Sequence, residues 1–130
     1  MRGAGMARTA LIIDPDPASL KLQTVLLRGE GWLVVTALSI ADARSALCVF
    51  EPDVVIDGIG GDDTVELLSD VTTRRIPVVA VEEREARERR TAPAMPVVVS
   101  VTKPIDVMTF AQLVESARGG KHDREDPAGR

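Results

Sequence analysis

The sequence predicts a doubly wound α/β fold, in which helices cover both faces of a parallel β-sheet. The first observation is that short apolar runs alternate with longer amphipathic segments along the whole chain. The second is composition, because 45% of the 130 residues are hydrophobic and only 2% are aromatic, which leaves aliphatic side chains to build the core. A chain of this length can bury enough surface for one core without disulfides or metal. We therefore expect one domain over residues 9–118.

Five short apolar runs are the predicted strands. Each run is too short for a stable helix and is rich in Val, Ile, Leu or Ala, and turn-forming or charged residues follow it. In chain order the predicted strands cover residues 9–14, 32–37, 53–57, 76–81 and 97–101. Strands that alternate with helices in this way require a parallel sheet.

Helix-start signals precede most of the segments between these strands. Asp16 is placed as an N-cap before Pro17 at the first helical position, and Ser39 is placed as the N-cap of the second helix. Asp106 is assigned as the cap of the last helix. The apolar positions expected to face the core are Ala43, Leu47 and Phe50 in the second helix, Val65, Leu68 and Val71 in the third, and Phe110, Leu113 and Val114 in the last.

Three segments lack a hydrophobic anchor. Residues 82–90 are predicted to form only a short or frayed helix, because Ala86 is their one apolar side chain. Residues 1–8 are read as an N-terminal extension, with either Met1 or Met6 as the true start. Residues 119–130 are read as a disordered polar tail, so a catalytic role for His122 is not expected.

Composition also excludes several classes of protein. The net charge of −4 and the three aromatic side chains oppose nucleic-acid binding, which needs a basic field or stacking platforms. No apolar run approaches the roughly 18 residues of a membrane span or forms a signal peptide, and a cytoplasmic location is expected. Cys48 is the only cysteine and is interpreted as a small buried hydrophobe, so no intrachain disulfide is expected.

Charged residues follow four of the predicted strands. They are Asp14, Asp57, Glu82 and Lys103. In a doubly wound sheet, ligands bind where the carboxyl ends of the strands meet, so these side chains are expected to lie together. Carboxylates that converge on one lysine are costly unless they hold a cation or a phosphoryl group.

The motifs that surround these residues resemble those of the response-regulator receiver family, of which the bacterial chemotaxis switch protein is the simplest member. The matching segments are ALIIDPDP, EPDVVID, ELL, IPVVAV and TKPID, and the resemblance runs from about Ala10 to Ala117. It implies a flavodoxin-like three-layer αβα fold with strand order 2-1-3-4-5. It also implies two-component phosphorelay signalling by contact with a histidine kinase or another signalling protein, as a monomer or weak dimer, without nucleic-acid or membrane binding.

The resemblance assigns roles residue by residue. Asp57 would be the phospho-acceptor, and Asp14 would hold Mg²⁺ together with Asp57 and the backbone carbonyl of Ile59. Lys103 would pair with the acceptor and then with the phosphoryl oxygens. The bond between Lys103 and Pro104 would be cis, which fits the restriction of cis peptides to X-Pro.

Three positions depart from the family pattern. Pro15 stands where receivers carry their second acidic residue, and Asp16 is a weak substitute ligand because an N-cap aspartate usually accepts backbone N–H bonds. Glu82 stands where a Ser or Thr would bind the phosphoryl group, and a second negative charge at about 4 Å would cost roughly 4 kcal/mol. Ser100 stands where many receivers carry a mobile aromatic ring. We therefore expect weak Mg²⁺ binding.

Two functions follow from this pattern. One is a single-domain response regulator that accepts a phosphoryl group at Asp57 and signals by protein contact. The alternative is a pseudo-receiver, an interaction module that binds a kinase or regulator independently of phosphorylation. Neither is an enzyme in the usual sense. A nucleotide-binding enzyme and a serine hydrolase are disfavoured, because no GxGxxG, GxxxxGK[ST] or GxSxG pattern is present.

Overall fold

The computed structural model describes residues 7–84 and 99–119, and within them it shows a parallel sheet of five strands in the order β2-β1-β3-β4-β5. The predicted fold class and strand order are therefore confirmed. The strands are β1 Thr9–Ile13, β2 Leu33–Ala37, β3 Val54–Asp57, β4 Val78–Glu82 and β5 Val99–Thr102. Each pair of neighbouring strands is parallel and in regular register.

Helices cover both faces of the sheet. They are α1 Pro17–Arg28, α2 Ile40–Leu47, α3 Val65–Thr73 and α4 Phe110–Arg118, and a 3₁₀ turn over Asp62–Thr64 leads into α3. The layer formed by α1 and α4 packs on one core cluster, which includes Ile12 and Ile56. The layer formed by α2 and α3 packs on a second cluster, which includes Leu11 and Val55. Adjacent strand residues point to opposite faces, so every central strand serves both cores.

The predicted caps of the first two helices are confirmed. The Asp16 carboxylate accepts a hydrogen bond from the backbone N–H of Ala18 at 3.1 Å, and Pro17 occupies the first helical position. The Ser39 hydroxyl accepts a hydrogen bond from the N–H of Asp42 at 3.1 Å. Each cap satisfies one of the N–H groups that a helix start leaves without an intrahelical partner.

Two predictions about buried helix faces are wrong in part. Val65 is 42% exposed, and Leu67 is buried together with Leu68 and Val71. The chain enters α3 through a 3₁₀ turn, which brings Val65 to the outer side of the first turn. In the second helix Ala43 and Leu47 are buried as predicted, and Phe50 follows the helix and packs half-buried against the same core.

The start of the last helix also differs from the prediction. Asp106 accepts a hydrogen bond from the N–H of Met108 at 2.9 Å and so closes a turn before α4. The helix itself begins only at Phe110, after Thr109. Its fully buried residues are Phe110, Val114 and Ala117, whereas Leu113 is only partly buried.

The prediction that Cys48 is buried is wrong. Cys48 is exposed at the C-cap of α2, where the chain leaves the sheet surface and turns toward β3. The buried residue at this end of the helix is Leu47. The helical repeat therefore gives the core position to the leucine and leaves the thiol in solvent.

Several sequence predictions lie outside the described residues. These are the first six residues of the extension predicted over residues 1–8, most of the helix predicted over residues 82–90, the start of the fifth strand and the polar tail with His122. The domain bounds and the disorder of the tail therefore stay predictions. In the part of the chain that is described, no helix is long and apolar enough to cross a membrane.

Candidate functional site

The four charged residues that were predicted to lie together are all at the carboxyl end of the sheet. Asp57 is the last residue of β3, and its register partner on β1 is Ile13, the residue before Asp14. Glu82 ends β4 and pairs with Thr102, the residue before Lys103. Parallel strands in this register carry all four residues to one edge.

Asp14 is fully buried and is held by donors from its own neighbourhood. Its Oδ1 accepts a hydrogen bond from the N–H of Asp16 at 2.9 Å. Its Oδ2 accepts one from the Ser19 hydroxyl at 2.8 Å and one from Gln23 Nε2 at 3.0 Å. A carboxylate offers about four lone-pair sites, so these three bonds use most of its capacity.

Gln23 is a fully buried polar residue on the inner face of α1. Its Nε2 donates to Asp14 and also to the hydroxyl oxygen of Ser19 at 3.0 Å. The Ser19 hydroxyl therefore uses its single proton toward Asp14 and accepts from Gln23. These roles fix the amide orientation, because the reverse would place the amide oxygen against a carboxylate.

The glycine-rich turn after β3 wraps the carboxylate of Asp57. Its Oδ1 accepts a hydrogen bond from the N–H of Ile59 at 3.0 Å, and its Oδ2 accepts one from the N–H of Gly60 at 3.2 Å. Gly60 has a φ of 69°, a conformation that L side chains rarely adopt. The hydroxyl of the buried Thr64 lies nearby and donates to the carbonyl of Gly61 at 3.2 Å, which holds the turn closed. The turn thus forms a cradle of donors for one carboxylate.

Burial dominates the acid–base behaviour of Asp57, which is 2% exposed. Desolvation raises the pKa of Asp57, and the charge of Asp14 acts in the same direction. Hydrogen bonds from the N–H groups of Ile59 and Gly60, together with the nearby Thr64 hydroxyl, oppose this shift, but the net pKa is raised above the usual value for aspartate. The site therefore tolerates the charge of Asp57 less well than water does.

Lys103 lies next to Asp14 rather than in a close pair with the acceptor candidate. Its Nζ is 3.7 Å from Asp14 Oδ2 and 3.9 Å from a carboxylate oxygen of Glu83. The side chain is largely buried, whereas that of Glu83 is mostly exposed. The backbone N–H of Lys103 donates to the carbonyl of Glu82 at 2.9 Å, which fixes the loop that carries the ammonium group.

Of the comparisons with known proteins, only the comparison of structures finds proteins similar to this chain. No protein-family model matches the chain, and no curated protein matches it in sequence. The CheY-like response regulator receiver domain from Methylobacillus flagellatus superposes with a TM-score of 0.71 at 20% identity, over 85% of this chain and 98% of that chain. The CheY-like receiver domain protein from Methanospirillum hungatei JF-1 superposes with a TM-score of 0.71 at 16% identity, over 91% and 98%. This chain has the receiver fold. NtrX from Brucella abortus shares the fold over 96% of this chain and 30% of its own, with a TM-score of 0.74 at 21% identity.

The positions at which the sequence departs from the receiver pattern lie around the same edge of the fold. Pro15 is exposed directly after Asp14, and Asp16 is occupied as a helix cap. Glu82 is half-buried at the end of β4. Ser100 is half-buried on β5, where its register partner is Ala80. The bond between Lys103 and Pro104 is cis, as the receiver resemblance implied.

The side chains of this receiver fold do not fit the Mg²⁺ site that the resemblance implies. The oxygens of Asp14 are already engaged by three donors, and Pro15 supplies no ligand through its side chain. Asp57 is likewise engaged by backbone donors, including the N–H of Ile59. Over the described ranges no three acidic, histidine or cysteine side chains are grouped so that they could hold a metal ion. Mg²⁺ also needs near-ideal octahedral oxygen geometry.

Sequence reasoning missed four residues of the site. Ser19 and Gln23 hold Asp14, Thr64 contacts Asp57, and Gly58 leaves room for the Asp14 carboxylate. The spacing of Ser19 and Gln23 at i and i+4 was visible and places both on one helix face. The signal that could have identified Gln23 as a site residue is its place among the apolar positions of α1.

Proposed function

We propose that this chain is a receiver module of two-component signalling, which acts by contact with a histidine kinase or another signalling protein in the cytoplasm. Asp57 is its phospho-acceptor candidate, and the surrounding metal and phosphoryl site is incomplete. The output is carried by protein surfaces, since a net charge of −4 gives no field that attracts nucleic acid.

One observation carries the proposal. The receiver fold brings Asp14, Asp57 and Lys103 to the carboxyl edge of the sheet, and the Lys103 ammonium lies 3.7 Å from the Asp14 carboxylate. A buried acid next to a second acid and a lysine is the arrangement in which a carboxylate can attack a phosphoryl group and a cation can offset the added charge. Burial and the charge of Asp14 raise the pKa of Asp57, and shifted pKa values of this kind are common at functional sites.

Intact-mass measurement after incubation with acetyl phosphate and millimolar Mg²⁺ tests the proposal. A single phosphoryl addition is expected on a minor fraction of the chain, and Asp57→Ala should abolish it. Asp63→Ala is the matched control, because Asp63 is exposed on the same loop. Labelling that survives Asp57→Ala and disappears in Asp63→Ala would place the acceptor elsewhere.

The burial of Asp57 favours a second candidate function, the pseudo-receiver. With the side chain 2% exposed and engaged by the amides of Ile59 and Gly60, a phosphoryl donor reaches the carboxylate only if the turn opens. A module of this kind would bind its partner without phosphotransfer. Complete absence of the added mass in the wild-type chain, with both acetyl phosphate and beryllofluoride, would favour this function over the first.

A further inference from the structure

We propose that Ser19 and Gln23 take the place of a divalent cation in this site, holding Asp14 beside Asp57 and making the arrangement independent of Mg²⁺. The inference uses the proposed function only to define which acidic site is meant. It concerns the resting architecture of the site and does not require that Asp57 be phosphorylated.

Two neighbouring buried carboxylates need compensating donors or a cation. Asp14 is fully buried and Asp57 is 2% exposed, and the charge of Asp14 acts unfavourably on Asp57. Burial of charged groups is costly unless they are paired and hydrogen-bonded. Something in the fold must therefore supply positive charge or N–H and O–H donors to Asp14.

The donors are already present on α1. Asp14 Oδ2 receives the Ser19 hydroxyl at 2.8 Å and Gln23 Nε2 at 3.0 Å, while Lys103 provides a positive charge at 3.7 Å. A cation bound to this oxygen would have to displace at least one of these donors, because they occupy the directions from which a ligand oxygen is approached. The carboxylate is thus satisfied without metal.

Gln23 occupies a position that favours an apolar side chain. It lies on the buried face of α1 with Leu20 and Leu27, and within residues 7–84 and 99–119 its Oε1 has no hydrogen-bond partner. An unpaired buried amide oxygen is destabilising. A leucine at this position would avoid that penalty. What the glutamine contributes instead is the pair of hydrogen bonds that its Nε2 donates to Asp14 and Ser19.

The experiment compares thermal unfolding of the full chain in EDTA and in 10 mM MgCl₂ at matched ionic strength. A ligand that binds only the folded state raises Tm according to its concentration and Kd. A site with a Kd of about 1 mM would raise Tm by roughly 4 to 8 °C under these conditions. For the wild-type chain we expect a shift of less than about 1 °C.

Variants at Pro15 and Gln23 distinguish two reasons for weak Mg²⁺ binding: the ligand that is missing at position 15, and the donors that already occupy the Asp14 carboxylate. Pro15→Asp returns a carboxylate, and its Mg²⁺-dependent shift should grow by about 3 to 6 °C when Gln23→Leu is added, which corresponds to roughly tenfold tighter binding. Gln112→Leu is the matched control for the second change, because Gln112 is exposed on α4. Added to Pro15→Asp, it should leave the Mg²⁺ response unchanged.

Two outcomes would overturn the inference. One is a clear Mg²⁺-dependent rise in Tm for the wild-type chain, which would show that the donors do not exclude the cation. The other is an equal response of Pro15→Asp with and without Gln23→Leu. If the Gln23→Leu chains lack a cooperative transition, Ser19→Ala replaces that change, since Ser19 is only half-buried, and the same comparison decides. Failure of phosphoryl labelling at Asp57 would leave each of these results unaffected.

Discussion

The backbone of Gly58 lies directly against the carboxylate of Asp14. A Cβ placed on Gly58 would be 2.7 Å from Asp14 Oδ2, 2.9 Å from its Cγ and 3.0 Å from the carbonyl oxygen of Ile13. Real Cβ atoms do not approach other atoms this closely, and Asp14 has little room to move because three donors hold it. The absence of a side chain at position 58 therefore allows β1 and the turn after β3 to meet.

Gly58→Ala should consequently lower the free energy of unfolding by about 2 kcal/mol, as expected for forced overpacking beside a fixed group. Urea denaturation followed by circular dichroism measures the change. Gly119→Ala is the matched control, because a Cβ there would meet only ordinary contacts near 3.9 Å. Equal stability of the two variants would contradict the close approach.

Asp57→Asn should stabilise the protein at neutral pH by about 1 kcal/mol, because it removes a buried charge beside Asp14 while its amide oxygen can still accept from the turn. The folded-state pKa of Asp57 is raised, so the folded chain binds more protons than the unfolded chain between the two pKa values. Stability should fall as pH rises through that window.

Chemical denaturation of Asp57→Asn and wild type across the acidic range tests this sign. The difference between the two should be small below the unfolded-state pKa and should grow in favour of the asparagine variant as pH rises. A variant that loses stability at neutral pH would show that the ionised carboxylate contributes net stabilisation through Ile59 and Gly60.

Pro15→Asp combined with Glu82→Thr should increase the fraction of chain labelled by acetyl phosphate in millimolar Mg²⁺ several-fold. The first change returns a metal ligand, and the second replaces a repelling carboxylate with a hydroxyl donor near the phosphoryl position. Removing Pro15 should lower stability by only about 1 kcal/mol or less. Intact mass measures the labelling, with Asp57→Ala added to the pair as the control. Full labelling of the wild-type chain would refute the incomplete-site interpretation.

Glu115→Gln should lower stability by less than about 1 kcal/mol, and by less at high salt, because the ion pairs of Glu115 are partly exposed. Partial burial raises the pKa of Glu115, but hydrogen bonds and charges from Arg118 and Arg8 outweigh it, and the net pKa is lowered. This stabilisation is present above the unfolded-state pKa and is lost as pH falls through the folded-state pKa.

Thermal unfolding at low and high salt measures the contribution of Glu115. Glu66→Gln is the matched control, because the Glu66 side chain is 89% exposed and pairs with Arg44 only at 3.6 Å. The control should change Tm less than Glu115→Gln does. A larger change in Tm for Glu66→Gln than for Glu115→Gln would contradict this assignment. The Arg8 guanidinium, which pairs with Glu115, also lies 4.9 Å from the Trp32 ring centroid.

The sequence by itself determined the alternation of strands and helices, the first two helix caps and the strand-end positions of Asp14, Asp57 and Glu82. These features depend on residues close together in the chain: apolar runs of limited length, a cap before Pro17 or Ile40, and charge directly after an apolar run. Side-chain periodicity and local hydrogen bonding specify these features, so they can be predicted without knowing any long-range contact. The strand order followed from resemblance to receivers.

Only the tertiary structure decided how the acidic site is satisfied. The spacing of Ser19 and Gln23 places them on one face of α1, but their contact with Asp14 depends on how that helix packs over β1. The space that Gly58 leaves for Asp14 likewise depends on the register of β1 with β3. The exposure of Cys48 was decided by where α2 ends above the sheet. Such contacts join residues whose distance is set by packing, and packing is a property of the whole core rather than of any local pattern.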